Sequence, residues 1–430
     1  MKKIIVKILE WEARLMLSRH KTHIIGVTGS VGKTSTKDAI AAALSTSLAV
    51  RKNEKSYNSE FGVPLTILNL KSAWSSPFGW LINIIIGLWR ACTDYLPTSS
   101  YFVLEVGADH PGDIGRLVKW LKPVMGVVTG FGSEVPVHVE FFPSIESLVA
   151  EKGKLLESLP EDGVAFINRD DARSWDMRSL TRARVVSFGT SADSMTKADG
   201  VRISYDEGGK PKGTSFRVDI AGKSIPVRLC GALGKGHMYA ALAALAVANE
   251  LEVNLLNAVA ALEAHRTPPG RLRVLAGING STLIDDTYNS SPAAVKIALD
   301  TLHELEVTGR KIAVLGDMME LGQYSEQEHR KVGSWLPGVV DVLMCVGERS
   351  KWIGDEAQKD GFKKESIYYF ADSVATGQFL VSDFGIRASD LILLKASQSI
   401  RLERATEMLL AEPSRSSELL VRQDKEWKKK

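Results

Sequence analysis

The chain has 430 residues, of which 44% are hydrophobic and 24% charged, a composition typical of a globular protein with two or three domains. The net charge of +3 is too small to favour nucleic acid as a partner. Three widely spaced cysteines, Cys92, Cys230 and Cys345, form neither a metal-ligand pattern nor a disulfide framework, which indicates a reducing, cytoplasmic environment.

Residues 1–20 predict an amphipathic helix, because apolar residues such as Ile5, Ile8 and Leu9 recur at helical spacing among charged ones. Lys7 and Glu10 interrupt the stretch, so it lacks the uncharged core of a secretory signal. We expect this helix to lead into the first strand of the fold.

A glycine-rich segment, Gly-Val-Thr-Gly-Ser-Val-Gly-Lys-Thr-Ser-Thr at 26–36, follows an apolar run and predicts a strand, a turn and a helix start. Backbone N–H groups in such a turn cradle phosphates, and the helix N-terminus adds a positive field. Lys33 then reaches the outer phosphates and the Thr34 hydroxyl ligates Mg²⁺, although Val27 stands where the pattern has its first glycine. The predicted nucleotide-binding residues of this loop are Thr28, Gly29, Ser30, Val31, Gly32, Lys33, Thr34 and Ser35.

An apolar run at 78–89, Phe-Gly-Trp-Leu-Ile-Asn-Ile-Ile-Ile-Gly-Leu-Trp, is about a dozen residues long, shorter than the ~20 that span a bilayer. It predicts either a buried helix or a helix that contacts a membrane surface or a partner protein, and we favour the buried or protein-packed alternatives. For the lysine-rich C-terminus, which could assist a membrane contact, we favour a solvated tail.

Apolar runs at 101–105 and 124–129 predict strands of a parallel sheet, whose members are buried on both faces. Ligands of such sheets bind beyond the carboxyl ends of the strands, so Glu105 should lie where the phosphate loop opens. His138, Lys152 and the polar turn at 168–171 could converge on the same nucleotide. Taken alone, however, His138 is interpreted as an ordinary core or surface histidine, and Lys152 as a solvated lysine.

Two prolines and a glycine in Thr-Pro-Pro-Gly-Arg at 267–271 predict a hinge between domains. Strands and helices alternate again beyond it, which predicts a second sheet. The predicted fold class is α/β: a phosphate-loop central domain with a mostly parallel sheet at 21–266, and a Rossmann-like C-terminal domain at 267–412. A charged tail is expected at 413–430.

The ordered motifs of this chain resemble those of the Mur ligase family, ATP-dependent enzymes that form amide bonds. The resemblance covers roughly 22–410 and is greatest with the branch that adds D-alanyl-D-alanine to a UDP-N-acetylmuramoyl-tripeptide. The motifs that carry it lie at 28–34, 57–64, 104–114, 138–140, 151–153, 270–271, 284–289, 314–322 and 395–397, with Pro292 and Glu403.

The resemblance implies ATP and Mg²⁺ as cofactors, and a muramoyl-peptide precursor and D-alanyl-D-alanine as substrates. It places Thr34 and Glu105 on one Mg²⁺ and His138 on a second. It also implies that Lys152 is carbamylated, so that it helps to hold the second metal. Lys33, Lys152 and His138 are therefore the expected catalytic residues.

Six further residues take expected roles from the same resemblance. Arg271 and Asp286, from the C-terminal domain, are expected to contact the nucleotide, and His237 lies where the family contacts adenine, although Asn is usual at that position. The expected substrate contacts are Asn58, Asn289 and Lys395. By itself, the Asp285–Asn289 segment is equally compatible with a strand-end turn, as are Asp317 and Glu320 in the next motif.

The chain also departs from the family pattern. Family members carry an N-terminal domain that grips the UDP-sugar, and the 25 residues before the phosphate loop are too few for one, so we expect that domain to be missing. Gly130, Ala396 and Gln398 replace the usual residues where the peptide substrate is expected. The identity of the acceptor is therefore open, and so is the oligomeric state.

Two alternatives to the favoured function remain. The first keeps the chemistry but joins a different amino acid or peptide to a carboxylate acceptor. The second is a non-ligating nucleotide-binding scaffold that recruits partners through 78–89. Glu105, His138 and Lys152 argue against the scaffold, because simple nucleotide binding needs no second metal site.

Overall fold

A computed structural model describes residues 2–20, 22–53, 61–74, 76–93 and 100–428. In these residues the chain forms two α/β units, one around a nine-stranded sheet and one around a six-stranded sheet. Asn58 lies outside the described residues. None of the helices within the described ranges is both long enough and apolar enough to cross a membrane.

The helices and strands follow one another along the chain in two groups that match the two sheets. The helices are α1 Lys2–Arg19, α2 Lys33–Leu44, α3 Gly62–Ile67, α4 Pro77–Cys92, α5 Asp113–Leu121, α6 Ile145–Glu157, α7 Ala172–Asp176, α8 Lys235–Glu250, α9 Leu255–Ala264, α10 Pro292–Glu304, α11 Ser325–Ser334, α12 Lys351–Lys359, α13 Ser373–Ser382, α14 Glu403–Leu409, α15 Ser416–Leu419 and α16 Lys425–Lys428. The strands are β1 Thr22–Thr28, β2 Val50–Lys52, β3 Ser100–Glu105, β4 Met125–Val128, β5 Val164–Asn168, β6 Arg184–Gly189, β7 Thr196–Tyr205, β8 Pro211–Ile220, β9 Lys223–Cys230, β10 Arg273–Ala276, β11 Thr282–Asp286, β12 Lys311–Gly316, β13 Val342–Val346, β14 Ile367–Phe370 and β15 Leu391–Lys395.

The first sheet has the strand order β2-β3-β1-β4-β5-β6-β7-β8-β9. Its strands run parallel from β2 to the β6–β7 pair, and β7, β8 and β9 form antiparallel hairpins. Helices cover both faces, so the central strands are buried on both sides and read as continuous apolar runs. Val27 in β1 pairs with Glu105 in β3, which places this carboxylate beside the phosphate loop, as the sequence predicts.

The second sheet has the order β10-β11-β15-β12-β13-β14, with only the β10–β11 pair antiparallel. Apolar clusters lie on its two faces and bury α10 and α11 on one side and α13 and α14 on the other. The predicted fold class, a mostly parallel central sheet followed by a Rossmann-like domain, is confirmed.

The helix predicted for 1–20 is present as α1, and it packs against α4. Gly87 permits this close approach, because a Cβ there would lie 2.2 Å from Glu12 Oε2. In α4 only Gly87 and Ala91 are buried, whereas large apolar side chains face outward. The apolar run at 78–89 is therefore not an interior helix: the structure contradicts that alternative because the sheet face beneath is already covered by α1, α3 and α5.

The described part of the predicted tail, 413–428, folds onto the second unit. Leu420 is buried in its core, and the Arg422 side chain forms an ion pair with buried Glu403. Trp427 lies over the guanidinium group of Arg401. The prediction of a solvated tail is therefore wrong for Leu420, Arg422 and Trp427, which pack against the second unit. It holds for most of 413–419 and for Lys428, which are exposed.

Candidate active site

The phosphate loop lies between β1 and α2. Gly29 has φ +140°, and a Cβ there would lie 2.1 Å from Thr129 Oγ1, so the close contact with the neighbouring strand end requires glycine. The N–H groups of Ser30 and Val31 donate to the Gly130 carbonyl at 2.8 and 3.1 Å. Lys33 begins α2 and its Nζ lies 3.5 Å from the Ser30 carbonyl oxygen.

Thr34 and Glu105 are in direct contact. The Thr34 hydroxyl donates to Glu105 Oε2 at 2.8 Å, and Glu105 is almost fully buried at the end of β3. Asn53, which the sequence reading missed, fixes this strand end: its Oδ1 accepts from the Glu105 N–H at 2.9 Å, and its carbonyl accepts from Lys37 Nζ at 2.6 Å. Two oxygen donors from separate elements are therefore held at one point beside the phosphate loop.

Lys152 lies on α6 and is buried, with 1% of its surface exposed. Burial lowers the pKa of its amine to about 7, and the neighbouring positive charge of Lys33 acts in the same direction. Burial likewise lowers the pKa of Lys33, although the negative charge of Glu105 opposes that shift. A substantial fraction of Lys152 is thus a neutral, nucleophilic amine near pH 7.

His138 meets Glu320 across the boundary between the two units. His138 Nδ1 lies 2.6 Å from Glu320 Oε2, and His138 Nε2 lies 3.9 Å from Asp109 Oδ1. Both His138 and Glu320 have positive φ angles, 72° and 63°, in a region that residues other than glycine seldom occupy. The sequence alternative that Glu320 is only a turn residue does not account for this contact.

Arg271 also crosses between the units. Its guanidinium group donates to Thr34 Oγ1 at 3.2 Å and stacks over the Tyr288 ring, with its Cζ 4.0 Å from the ring centroid. Its carbonyl lies 2.8 Å from Nε2 of His237, a buried imidazole whose pKa is lowered by burial. His237 and Ser35 line a small cavity behind α2, away from Lys33.

Asp286 and Lys395 pair with each other inside the second unit. Lys395 Nζ donates to Asp286 Oδ2 at 2.6 Å and to the Asn289 carbonyl at 3.1 Å, and both charged side chains are buried. Asp286 Oδ1 accepts from the Leu272 N–H at 3.2 Å and so holds the residue that follows Arg271. The Asp286–Lys395 pair does not line the cleft, but it fixes the backbone next to Arg271.

A cleft of about 730 Å³ opens between the two units, and its walls come from both. The sequence-predicted residues in its lining are Ser30, Val31, Gly32, Lys33, Glu105, His138, Arg271 and Asn289. Thr34 and Lys152 lie next to these residues, whereas the rest of the predicted set, Thr28, Gly29, Ser35, His237, Asp286 and Lys395, is outside the lining.

The cleft also contains residues that the sequence reading did not single out. They include Asp109, Glu140, Tyr288, Met319, Arg349, Ser399, Arg401 and Trp427. Asp109 and Glu140 lie within motifs that the resemblance rests on, so position in a motif could have found them. Arg401 and Trp427 carry no local signal, because only the packing of the last 30 residues brings them to the cleft.

The residues at the phosphate loop suit Mg²⁺, which takes most of its ligands from substrate and water. They do not suit a metal ion whose ligands all come from the protein. Among the residues that the structure describes, no group of three or more His, Cys, Asp or Glu side chains is placed to hold a metal ion. Mg²⁺ commonly takes one or two oxygen ligands from the protein and the rest from substrate phosphates and water. The Thr34 hydroxyl and Glu105 carboxylate fit that pattern.

The fold and cleft define a class of protein: a phosphate-loop α/β unit whose site is closed by a second α/β unit that reaches in with an arginine. The family model for the Mur ligase middle domain matches residues 27–78 and 82–248, and the model for the Mur ligase glutamate ligase domain matches 270–398. The chain belongs to the Mur ligase family.

Named relatives extend over most of the chain. UDP-N-acetylmuramoyl-tripeptide--D-alanyl-D-alanine ligase of Mycobacterium tuberculosis is 33% identical over 411 residues, covering 90% of this chain and 73% of the relative. The protein of that name from Bacillus subtilis is 27% identical over 406 residues, covering 94% and 79%. A solved structure of MurF ligase from Thermotoga maritima in complex with ADP has a TM-score of 0.74 and 26% identity, covering 94% and 83%.

Proposed function

We propose that this protein is an ATP-dependent ligase that joins D-alanyl-D-alanine to a UDP-N-acetylmuramoyl-tripeptide and releases ADP and phosphate. The observation that carries the proposal is the convergence of Lys33, Thr34, Glu105 and Arg271 in one cleft built by both units. The substrates follow from the names of the relatives that match this chain over most of its length. The three free cysteines are in keeping with a cytoplasmic location, which we propose for this reaction.

The first step transfers the γ-phosphoryl group of ATP to the tripeptide carboxylate, which breaks the bond between the γ-phosphorus and the bridging oxygen and leaves ADP. The carboxylate and the triphosphate repel each other, so positive charge must be concentrated where they meet. Lys33 supplies that charge from the phosphate loop, and Arg271 supplies it from the second unit, 3.2 Å from Thr34.

In the second step the amine of the dipeptide attacks the acyl phosphate, loses a proton and expels inorganic phosphate. Water would hydrolyse the acyl phosphate, so the two units must close over it. The cleft walls come from both units, and Arg271 and Glu320 each contact the opposite unit. We assign phosphate binding to the domain at 21–266 and closure to the domain at 267–412.

Thr34 and Glu105 would hold one Mg²⁺, and His138 would contribute to a second. When bound, Mg²⁺ supplies electrostatic neutralisation of the phosphate oxygens. Asp286 and Lys395 lie outside the cleft lining, and their role is to position the backbone that carries Arg271. Asn289 lines the cleft, which suits a contact with the substrate.

Carbamylation of Lys152 fits its environment. A neutral amine adds to CO₂ and loses a proton, which forms an N–C bond and converts the neutral amine into a carbamate anion. The pKa of about 7 makes the neutral amine available near neutral pH. The resulting negative group, near Lys33, Glu105 and Asp109, would be suited to hold a metal.

An ATP-turnover assay tests the function directly. UDP-N-acetylmuramoyl-tripeptide and ATP are incubated with D-alanyl-D-alanine, with other dipeptides or with single amino acids, and ADP and the ligated product are measured. We expect ADP release to require both acceptor and dipeptide. Turnover only with a different acceptor or amine would replace the proposed substrates, and amine-independent nucleotide binding without ADP formation would indicate the scaffold alternative.

A further inference from the structure

The exposed side of α4 is entirely apolar. The residues of α4 that face solvent include Phe78, Leu81, Ile82, Ile85, Leu88 and Trp89, and Phe78, Ile85 and Trp89 are 60% exposed or more. The helix has 16 residues, which corresponds to about 24 Å at 1.5 Å per residue. Folded proteins seldom leave so continuous an apolar face in water unless it contacts a partner or a membrane.

The neighbouring helix α1 adds further apolar side chains and positive charge to this exposed surface. Ile4, Lys7 and Trp11 lie on one exposed stripe of α1 at helical spacing. The sequence of α1 has five cations against two carboxylates, of which Glu12 is buried and Glu10 is paired with Arg14. Residues 71–93 contain Lys71 and Arg90 and no aspartate or glutamate.

The fold adds a second source of positive charge at the start of α4. Trp427 meets Trp74 edge to face, with ring centroids 6.5 Å apart. Trp427 lies in α16, Lys425–Lys428, and the sequence continues with Lys429 and Lys430. Lys428, exposed on this helix next to Trp427, therefore lies near the start of the apolar face.

We infer that the outer faces of α4 and α1 dock on the surface of an anionic lipid bilayer. An apolar helix face with tryptophans at its margins and cations around it is the pattern of a helix that lies in the membrane interface. At 16 residues α4 is shorter than the ~20 needed to span the hydrocarbon core, so it lies on the bilayer.

A second copy of this chain suits the face less well. A two-fold contact brings the same surface of both copies together, so the cations around α4 would face each other. With no carboxylate in residues 71–93, that segment offers them no partner. An anionic bilayer instead provides many phosphate charges and an apolar interior for the same face.

Vesicle flotation with the full chain tests the inference. Wild-type protein is expected to float with vesicles of equal phosphatidylglycerol and phosphatidylcholine at low salt, and much less with pure phosphatidylcholine or at high salt. The Leu81→Asn/Ile85→Asn variant should bind at least tenfold more weakly, and Lys7→Gln about fivefold more weakly. Both substituted apolar positions are exposed, so the fold should persist with unchanged ATP turnover.

The matched control is Met195→Asn/Leu256→Asn, which removes two equally exposed apolar side chains elsewhere on the first unit. This control should bind vesicles as the wild type does. Absence of wild-type binding to anionic vesicles, or equal binding by Leu81→Asn/Ile85→Asn, would overturn the inference. So would a dimer in solution that the same variant dissociates, because the face would then be covered by a second copy. Unchanged ATP turnover in the variant keeps this test separate from that of the ligase function.

Discussion

At the scale of single residues, the cleft depends on charges that are held away from water. Lys33 is placed by the turn from the loop into α2, close to Glu105 and Arg271, both of which influence its pKa. Lys152 is buried behind it, and the Lys395–Asp286 pair is buried further back. Charges in such surroundings interact strongly, so single substitutions there should have large effects.

Lys33→Ala should slow ADP formation by a factor of about 10²–10³, because a preorganised charge that stabilises the transferring phosphate is lost. The measurement is ADP release with both substrates at saturation. Lys119→Ala, which changes an exposed lysine of α5, is the control and should retain full turnover. Near wild-type activity of Lys33→Ala would refute the assigned role of this lysine.

Lys152→Arg should abolish activity, since guanidinium stays protonated and does not form a carbamate. Because the pKa of Lys152 is lowered to about 7, its neutral fraction grows from pH 6 to pH 8, and carbamylation and turnover should rise together over that interval. The carbamate is observable by ¹³C NMR with labelled bicarbonate. Lys154→Arg, on the exposed side of the same helix, is the control, and a carbamate signal that persists in Lys152→Arg would contradict the assignment.

Lys395→Met should lower the free energy of unfolding by about 3–5 kcal/mol, because it leaves Asp286 charged and buried without its partner. Urea denaturation gives the value. Lys296→Met removes an exposed partner of Asp300 one helical turn away and should cost less than about 1 kcal/mol. Equal losses of unfolding free energy in Lys395→Met and Lys296→Met would show that the buried Lys395–Asp286 pair matters no more for stability than the exposed one.

At the scale of elements, the contact between α1 and α4 is unusual because it buries a carboxyl group. Glu12 is 1% exposed, and its Oε2 has no hydrogen-bond partner within the described ranges. Burial raises the pKa of Glu12 to about 7, so the folded protein favours the neutral acid. The contact is therefore expected to weaken with rising pH.

The direction in which stability changes with pH follows from proton binding. Between pH 4.5 and about 7 the unfolded chain has released the Glu12 proton while the folded chain retains it, so stability falls through that interval and then levels off. Glu12→Gln should match the wild type in melting temperature near pH 5 and exceed it near pH 8. Glu10→Gln, which alters a paired carboxylate on the same helix, should show no such divergence. A wild-type stability that is independent of pH over this interval would contradict the argument.

At the scale of the whole molecule, the two units touch through apolar packing, in which Val135 and Val139 of the first unit join a cluster of the second, and through polar and close backbone contacts. They include Arg271 with Thr34, Glu320 with His138 and Lys331 with Glu134. Gly132 approaches Ala293 closely enough that a Cβ on the glycine would lie 2.9 Å from the alanine Cβ. The described arrangement is thus a closed one, as amide formation away from water requires.

Lys331→Met should loosen this closure, because it leaves the nearly buried Glu134 without its cation from the other unit. For a partly exposed pair worth about 1 kcal/mol, we expect turnover at limiting ATP to fall about fivefold, with a larger radius of gyration in X-ray scattering. Lys351→Met, whose partner Glu348 lies in the same unit, is the control. A compact, fully active Lys331→Met protein would show that closure does not depend on this pair.

Much of the first sheet was predictable from the sequence, because parallel strands buried on both faces appear as uninterrupted apolar runs. The runs at 101–105 and 124–129 became β3 and β4, and the glycine-rich turn placed Lys33 at the start of α2. Short, partly exposed strands such as β2 and β14 were not predicted, because three or four residues are too few to establish a period.

The sequence alone determined the family, the phosphate loop, and the placement of Glu105 at its edge. These depend on local backbone requirements and on strand ends that meet at one side of a sheet. Only the tertiary structure decided that Asp286 pairs with Lys395, that Glu320 faces His138, and that Trp427 reaches the cleft. It also decided that α4 presents its apolar side outward. Each of these features depends on contacts between segments that are far apart in the chain and meet only once the sheets have formed. No local pattern of residues specifies such contacts.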